Sequence, residues 1–138
     1  MSAQKAIVDT SVILRVLTAD DKRKKRAAED LLRNAKSRGI SLYLPPVTVL
    51  ETVWVLEKVY KLGRNRVAEI VEALLNTPEF RCDMGDVFRA ALADYAGKNV
   101  KFADAMMAHW ALDMGISVVY TYDEKDFKRI AGIEVRKP

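Results

Sequence analysis

The chain has 138 residues, half of them apolar and 30% charged, which is the composition of a folded globular domain and excludes a disordered or fibrous protein. Its net charge of +4 at pH 7 is modestly basic and favours contact with a polyanion. No apolar stretch is long enough to cross a bilayer and no signal-peptide pattern opens the sequence, so we expect a soluble cytoplasmic protein. The lone Cys82 excludes an internal disulfide and a cysteine-based zinc cluster, and we expect it to be buried on a strand.

Short apolar runs alternate with helical patterns along the whole chain, which is typical of an α/β protein with a mainly parallel sheet. We predict strands at residues 6–9, 42–44, 80–82 and 117–121, with a short edge strand at 133–135. No linker, repeat or low-complexity segment interrupts this alternation. We therefore predict one domain over residues 1–138, with a central sheet of four to five strands flanked by helices.

The segments between these strands carry apolar residues at the spacing of amphipathic helices. One helix is expected to begin near Val12 and another at Pro46. The apolar stripes of the others are Ala28/Leu31/Leu32/Ala35, Val67/Ile70/Val71/Leu74/Leu75, Phe88/Ala91/Leu92/Tyr95 and Ala103/Met106/Met107/Trp110/Ala111. A glycine, which is favoured at helix C-termini, follows several helical patterns: Gly39, Gly63, Gly97 and Gly115.

Asp9 stands at the end of the first predicted strand, just before the helix near Val12. Its ordinary role would be to cap that helix. Ligands in open α/β sheets, however, bind outside the carboxyl ends of strands, where this side chain would lie, so both roles stay open. The hydroxyls of Thr10 and Ser11 are candidate hydrogen-bond partners for the carboxylate or for bound water.

Glu51 lies in an apolar segment, and on a helix its neighbours at i−4, i+3 and i+4 are Val47, Trp54 and Val55. A solvated glutamate normally has polar neighbours, so this setting favours a functional role. Trp54, Val55 and Val59 either line a groove for a partner or lie in the core, and we expect them in the core.

Asp104 lies at the start of a predicted helix, where the macrodipole favours an acidic residue whether or not it binds a ligand. The same position can aim the carboxylate at a site beside the sheet. His109 is rotated about 140° from Asp104 around the helix, so we expect it at the surface. Asp113 lies about half a turn around the helix and is excluded for the same reason.

Asp123 and Asp126 follow the 117–121 strand and flank a short helix start. Two aspartates three residues apart there are either a capping arrangement or a pair of carboxylates that point into one cleft. Thr121 is placed to orient them.

The carboxylates of Asp9, Glu51, Asp104 and Asp123 all occur among apolar runs, and such groups at one site repel each other unless cations neutralise them. Oxygen ligands suit hard cations such as Mg²⁺ or Mn²⁺. A single cysteine and a single, poorly placed histidine disfavour zinc or iron. The sequence therefore predicts a magnesium or manganese site.

The chain resembles the PIN-domain nucleases, and most closely the VapC-type toxins, in four motifs that come in the family's order. They are Val8-Asp9-Thr10-Ser11, Glu51 on an apolar helix, Phe102-Ala103-Asp104-Ala105, and Thr121-Tyr122-Asp123 followed by Asp126-Phe127. The resemblance covers nearly the whole chain, although many family members carry asparagine where this chain has Ser11.

The resemblance implies a site and a function. The catalytic and metal-binding residues would be Asp9, Glu51, Asp104 and Asp123, with Asp126, Ser11 and Thr121 as accessory residues. The function would be that of an endoribonuclease dependent on Mg²⁺ or Mn²⁺ and the toxin of a toxin–antitoxin pair. A homodimer and a small antitoxin that covers the acidic site are also implied.

The densest basic segment is Lys22-Arg23-Lys24-Lys25-Arg26. Such a run is either a solvated helix start or a contact surface for an RNA backbone. Because an acidic site cannot attract a polyanion by itself, we favour RNA contact, although contacts of this kind carry no sequence information.

Three alternatives remain: a receiver-type phospho-acceptor domain, a PIN-fold protein that binds RNA without cutting it, and a processing nuclease outside any toxin system. A receiver normally has an acidic pair at the first strand and a lysine after the last, and neither pattern is evident here. The presence of all the matched carboxylates argues against a degenerate, non-cleaving site.

Overall fold

The computed structural model describes residues 4–138. In chain order the elements are β1 (Gln4–Ile7), α1 (Thr10–Leu17), α2 (Lys22–Ala35), β2 (Ile40–Tyr43), α3 (Pro46–Lys58), α4 (Arg64–Leu75), β3 (Phe80–Arg81), α5 (Gly85–Gly97), α6 (Phe102–Asp113), β4 (Val118–Tyr120), α7 (Glu124–Phe127) and β5 (Glu134–Arg136). The chain divides into two compact units, the first comprising Met1–Leu62 and Ala73–Asp83 and the second Gly63–Glu72 and Met84–Pro138.

The first unit is built on a parallel sheet with the strand order β1-β2-β3. Helix α1 packs against both α2 and α3, with Ile13 and Val49 fully buried. The buried hydroxyl of Thr48 donates a hydrogen bond to the carbonyl of Val8 over 3.2 Å. This bond fixes the start of α3 beside the chain segment that follows β1.

The second unit has its core where α5 packs against α6. The ring of Phe102 stacks on Phe88 at a centroid distance of 6.3 Å and meets Tyr95 edge-on at 5.7 Å. All three rings are buried, which stabilises the start of α6 in one position. Strands β4 and β5 form a short parallel pair in this unit.

The predicted fold class is confirmed, because parallel strands alternate with flanking helices as expected. Each predicted strand is present, although the first covers Gln4–Ile7 and ends before Asp9. The ladders join the strands into one sheet of three and another of two, which the sequence pattern did not distinguish from a single sheet.

Several residues expected in the core are exposed. Met107 and Trp110 of α6 are 55% and 46% exposed, because this helix is apolar on nearly all sides and its pattern does not select one face. Trp54 and Val59 are also exposed, at 58% and 61%, so the expectation that they lie in the core is wrong. Cys82 is half-buried and follows β3 directly.

The ends of the helices only partly follow the glycine pattern. Gly39 and Gly115 have φ of 68° and 78°, the left-handed conformation expected after a helix. Lys61 and Asn99, with φ of 56° and 57°, adopt this conformation in place of Gly63 and Gly97. Within residues 4–138, none of the helices combines the length and apolar character that a membrane crossing requires.

Arg64, the first residue of α4, links three parts of the second unit. Its guanidinium donates to the carbonyls of Tyr95 and Val100, over 3.1 Å and 2.7 Å, and lies 4.7 Å from the centroid of the Tyr95 ring. The side chain thereby ties the start of α4 to α5 and to the segment that follows α5.

We predict that Arg64→Ala lowers the free energy of unfolding by about 2 kcal/mol, since it removes charge-assisted hydrogen bonds and a cation–π contact. Urea denaturation measures this change. The matched control is Arg66→Ala, whose side chain makes only an exposed ion pair with Glu69 and should cost less than about 0.5 kcal/mol. Equal losses in the two variants would contradict this role of Arg64.

Candidate metal centre

Asp9 lies at the N-cap of α1 and is exposed. Its Oδ2 accepts a hydrogen bond from the Ser11 hydroxyl over 2.6 Å and one from the Ser11 backbone N–H over 3.3 Å. The hydroxyl bond, supported by the backbone bond, holds the pKa of Asp9 below its usual range. Asp9 therefore caps the helix and is kept ionised, so the two roles considered from the sequence are compatible.

Thr10, the next residue, is buried, and its hydroxyl has no hydrogen-bond partner in the part of the chain that the structure describes. A buried hydroxyl without a partner is unusual, and beside an ionised carboxylate it marks a polar position that a ligand or water can satisfy.

Glu51 lies on α3, one turn beyond Thr48. The apolar neighbours that singled it out, Val47 and Trp54, are themselves exposed, and Glu51 is exposed with them. The apolar setting of this glutamate is thus a surface of α3 and not the core, which leaves the carboxylate accessible to a ligand.

Asp104 lies in the first turn of α6 and is half-buried. Burial is the main reason that its pKa is raised, and the negative charges of Asp126 and Asp123 add to the effect. Lys101 opposes them and lowers the pKa. Asp104 therefore belongs to an acidic cluster in the second unit, which we define as Asp104, Asp123 and Asp126.

Lys101, which sequence reasoning did not single out, organises this acidic cluster. Its backbone N–H donates to Oδ2 of the buried Asp126 over 2.8 Å, while its ammonium lies 3.7 Å from Oδ2 of Asp123. The position of Lys101, one residue before the Phe102-Ala103-Asp104 motif and at the N-cap of α6, was the available signal.

Asp123 is exposed, and its backbone is fixed by Thr121. The N–H of Asp123 donates to the Thr121 hydroxyl over 2.9 Å, and that hydroxyl also lies 3.2 Å from the Asp123 carbonyl. Thr121 thus fixes the backbone of Asp123, while its accessory role at a metal site stays a prediction. Asp126, given an accessory role, holds the N-terminus of α6 instead of lying open to solvent.

The described residues, 4–138, contain no group of three histidine, cysteine, aspartate or glutamate side chains arranged to hold a metal ion. The donor chemistry nevertheless fits a hard divalent cation, since the candidates offer only carboxylate oxygens. The electrostatics of the acidic cluster also fit, because burial and the charges of Asp126 and Asp123 raise the pKa of Asp104, and a nearby cation would favour its ionised form.

His109 is not the surface residue that was expected. It is half-buried on α6, and its Nε2 lies 2.5 Å from Oδ2 of the buried Asp94 on α5, which also pairs with Lys98 over 3.4 Å. Sequence reasoning missed Asp94, because only the packing of α5 against α6 brings these residues together.

The basic run forms the start of α2, with Asp21 as the N-cap that accepts from the Lys24 N–H over 3.0 Å. Lys25 donates to the carbonyl of Val16 over 2.6 Å and so has a local structural role. The other side chains of the run are exposed, namely Lys22, Arg23, Lys24 and Arg26.

Comparison with known proteins gives two matches. The PIN domain family model matches residues 6–133. The chain is 28% identical over 124 residues to a VapC ribonuclease of Aquifex aeolicus (strain VF5), which covers 90% of each chain. Since the family model spans most of the sequence and both units, this chain belongs to the PIN domain family.

Proposed function

We propose that this protein is an endoribonuclease that hydrolyses RNA phosphodiester bonds with the help of Mg²⁺ or Mn²⁺. Membership of the PIN domain family and similarity to a VapC ribonuclease support the proposal. The observation that carries it is the acidic cluster, in which burial and neighbouring carboxylates raise the pKa of Asp104. A protein maintains such repulsion at a cost in stability, which is characteristic of functional sites.

The proposed ligands are Asp9, Glu51, Asp104 and Asp123, with Asp126, Ser11 and Thr121 as accessory residues. When bound, the cation supplies Lewis acidity, which activates water towards phosphorus and stabilises the departing oxygen. Ser11 keeps Asp9 ionised and fixes the position of its carboxylate. Asp126 anchors the N-terminus of α6, from which Asp104 projects, so that it acts through position and not by contact with the substrate.

Lys101 has two proposed roles in this chemistry. Its ammonium stabilises the ionised form of Asp104 and lies beside Asp123. If a metal ion neutralises the carboxylates, the ammonium of Lys101 is free to bind a phosphate oxygen of the substrate, because its side chain is long and flexible. Lys101 would then contribute to RNA binding at the site.

The toxin role is a finer proposal, based on the similarity to a VapC ribonuclease. A toxin of this type needs a surface for an antitoxin and, in the proposed homodimer, one for a second copy. Exposed apolar side chains are available on α3 and at its C-cap, with Trp54 and Val59, and on α6 and at its C-cap, with Met107, Trp110 and Met114. Family membership decides against the receiver-type alternative, and an RNA substrate is consistent with action in the cytoplasm.

The basic run is the proposed first contact of RNA with the protein. Cations in the first turn of a helix are disfavoured by the macrodipole, so Lys22, Arg23 and Lys24 are unfavourable for α2 itself. Contact with phosphate groups gives this arrangement a function that a solvated helix start does not have.

We expect purified protein, free of partners, to cut single-stranded or loop RNA only with Mg²⁺ or Mn²⁺. The ends should be a 5′-phosphate and a 3′-hydroxyl, because water is the nucleophile and the 3′ oxygen departs. Gel analysis of end-labelled RNA shows both features. Cutting in excess chelator, or products with a cyclic phosphate, would refute the metal mechanism.

Asp9→Asn should reduce cleavage by about 100-fold or more, since it keeps the size of the side chain and removes a charge that holds the ion. Asp113→Asn, a change of the same kind at an exposed position outside the proposed site, should leave the rate unchanged. Thermal denaturation checks that both variants fold. An active Asp9→Asn protein would remove Asp9 from the site.

Ser11→Ala should reduce cleavage by about 10-fold, because residues that orient a ligand contribute less than the ligand itself. Raising the Mg²⁺ concentration should restore part of the rate, which Asp9→Asn should not allow. A single-turnover assay across a range of Mg²⁺ concentrations separates these outcomes, and an unchanged Mg²⁺ requirement in Ser11→Ala would contradict the role of Ser11.

Replacing Lys22, Arg23, Lys24 and Arg26 by glutamine should flatten the dependence of RNA binding on salt. If each contacts one phosphate, the slope of log K against log salt should fall by about 3, and the affinity for Mn²⁺ should not change. Fluorescence anisotropy with labelled RNA measures the slope. An unchanged slope would reduce the run to a solvated helix start.

A further inference from the structure

A cleft of about 550 Å³ opens in the first unit beside the C-terminal half of α2, and we call it the α2–β3 cleft. Its lining comes from α2, from the start of β2 and from the segment that leads into β3. The lining residues are Leu32, Arg33, Ala35, Lys36, Ile40, Ser41, Pro78, Glu79 and Arg81. The lining therefore combines apolar side chains, the hydroxyl of Ser41 and several charged side chains.

The charged side chains that line the cleft are mainly cations. Arg33, Lys36 and Arg81 are exposed cations, and Glu79 is the carboxylate among the lining residues. Arg33 pairs with Asp30 over 2.6 Å, so part of its charge is neutralised. Lys36 and Arg81 form no ion pair with any of the residues described, 4–138, so their charges are available to an anion.

Cations lie at both ends of one face of α2. Lys22, Arg26, Glu29, Arg33 and Lys36, the C-cap of the helix, fall at spacings of 4, 3, 4 and 3 residues, which on a helix places them in one row. At 1.5 Å per residue the row is about 21 Å long. The carboxylate of Glu29 therefore stands between the exposed cations at the N-terminus of α2 and those at the cleft.

We propose that the α2–β3 cleft binds a phosphate group of the RNA backbone. This inference rests on the proposed function, and it adds Arg33, Lys36 and Arg81 to the contact surface for the substrate. Arginine binds phosphate oxygens through paired N–H groups, and the Ser41 hydroxyl supplies a further donor at the cleft.

The test compares Arg33→Gln/Lys36→Gln/Arg81→Gln with a control that removes the same number of exposed cations elsewhere, Lys58→Gln/Lys61→Gln/Arg66→Gln. Both sets are placed in the Asp9→Asn background, so that RNA is bound without being cut. Anisotropy of labelled single-stranded RNA should show a slope of log K against log salt that is lower by about 2 in the cleft variant. The control should change the slope by less than half as much, and equal changes would overturn the proposal.

Glu79→Gln leaves every cation in place and should change RNA affinity in the opposite direction. Removing this carboxylate should tighten RNA binding by about threefold at low salt, whereas Asp113→Asn should not. Weaker or unchanged binding in Glu79→Gln would contradict a phosphate site at the cleft.

Two further results separate the α2–β3 cleft from the proposed function. If the protein with Asp9 restored fails to cut RNA with any divalent metal while the cleft variants still weaken RNA binding, the nuclease proposal fails and the cleft is retained. If the cleft variant binds RNA normally but loses binding of a poly-glutamate probe, the cleft serves an acidic protein segment and the RNA assignment is overturned.

Discussion

Carboxylates that lie close together and partly buried cost free energy. In the acidic cluster of the second unit, Lys101 offsets part of this cost. Asp104 lies in the first turn of α6, and the buried ring of Phe102 fixes the start of that helix. Its position relative to Asp123 and Asp126 is therefore fixed as well. Lys101 offsets the repulsion through two contacts. Its backbone N–H donates a hydrogen bond to Asp126, and its ammonium lies beside Asp123. The same geometry that raises the pKa of Asp104 is the geometry that a divalent cation would stabilise.

The first unit presents a carboxylate in the opposite electrostatic state. Asp9 is exposed, and the Ser11 hydroxyl lowers its pKa. In the proposed site, an ionised Asp9 would bind a cation at neutral pH without first losing a proton, whereas a cation beside Asp104 would favour the ionised form of that carboxyl. The basic residues of α2 lie apart from both in the sequence, which allows attraction of RNA and binding of metal to be altered independently by mutation.

Periodicity predicted most elements of the fold, because strands and helices are local patterns. The stripe of Phe88, Ala91, Leu92 and Tyr95 is buried on α5 as the spacing required. The partners of the strands could not be predicted, since a ladder joins residues distant in sequence, and the five strands form two sheets.

The sequence indicated which residue types form the candidate site, but it predicted less well how exposed these residues are and which side chains surround them. Apolar sequence neighbours suggested that Glu51 is shielded from water, yet Val47 and Trp54 share its exposed surface. Sequence neighbours are not spatial neighbours, and for the same reason the pairing of His109 with Asp94 was invisible. Lys101 could have been found, because it stands at the cap of the helix that carries Asp104.

The central proposal is that Asp9, Glu51, Asp104 and Asp123 hold one divalent cation. Titration of ¹⁵N-labelled protein with Mn²⁺ tests it most directly, because the paramagnetic ion broadens the amide signals of residues close to it. We expect the signals around all four residues to broaden together, with a single dissociation constant, and Mg²⁺ to reverse the effect by competition. Broadening confined to the surroundings of only some of these residues, or a different dissociation constant for each, would contradict a shared site.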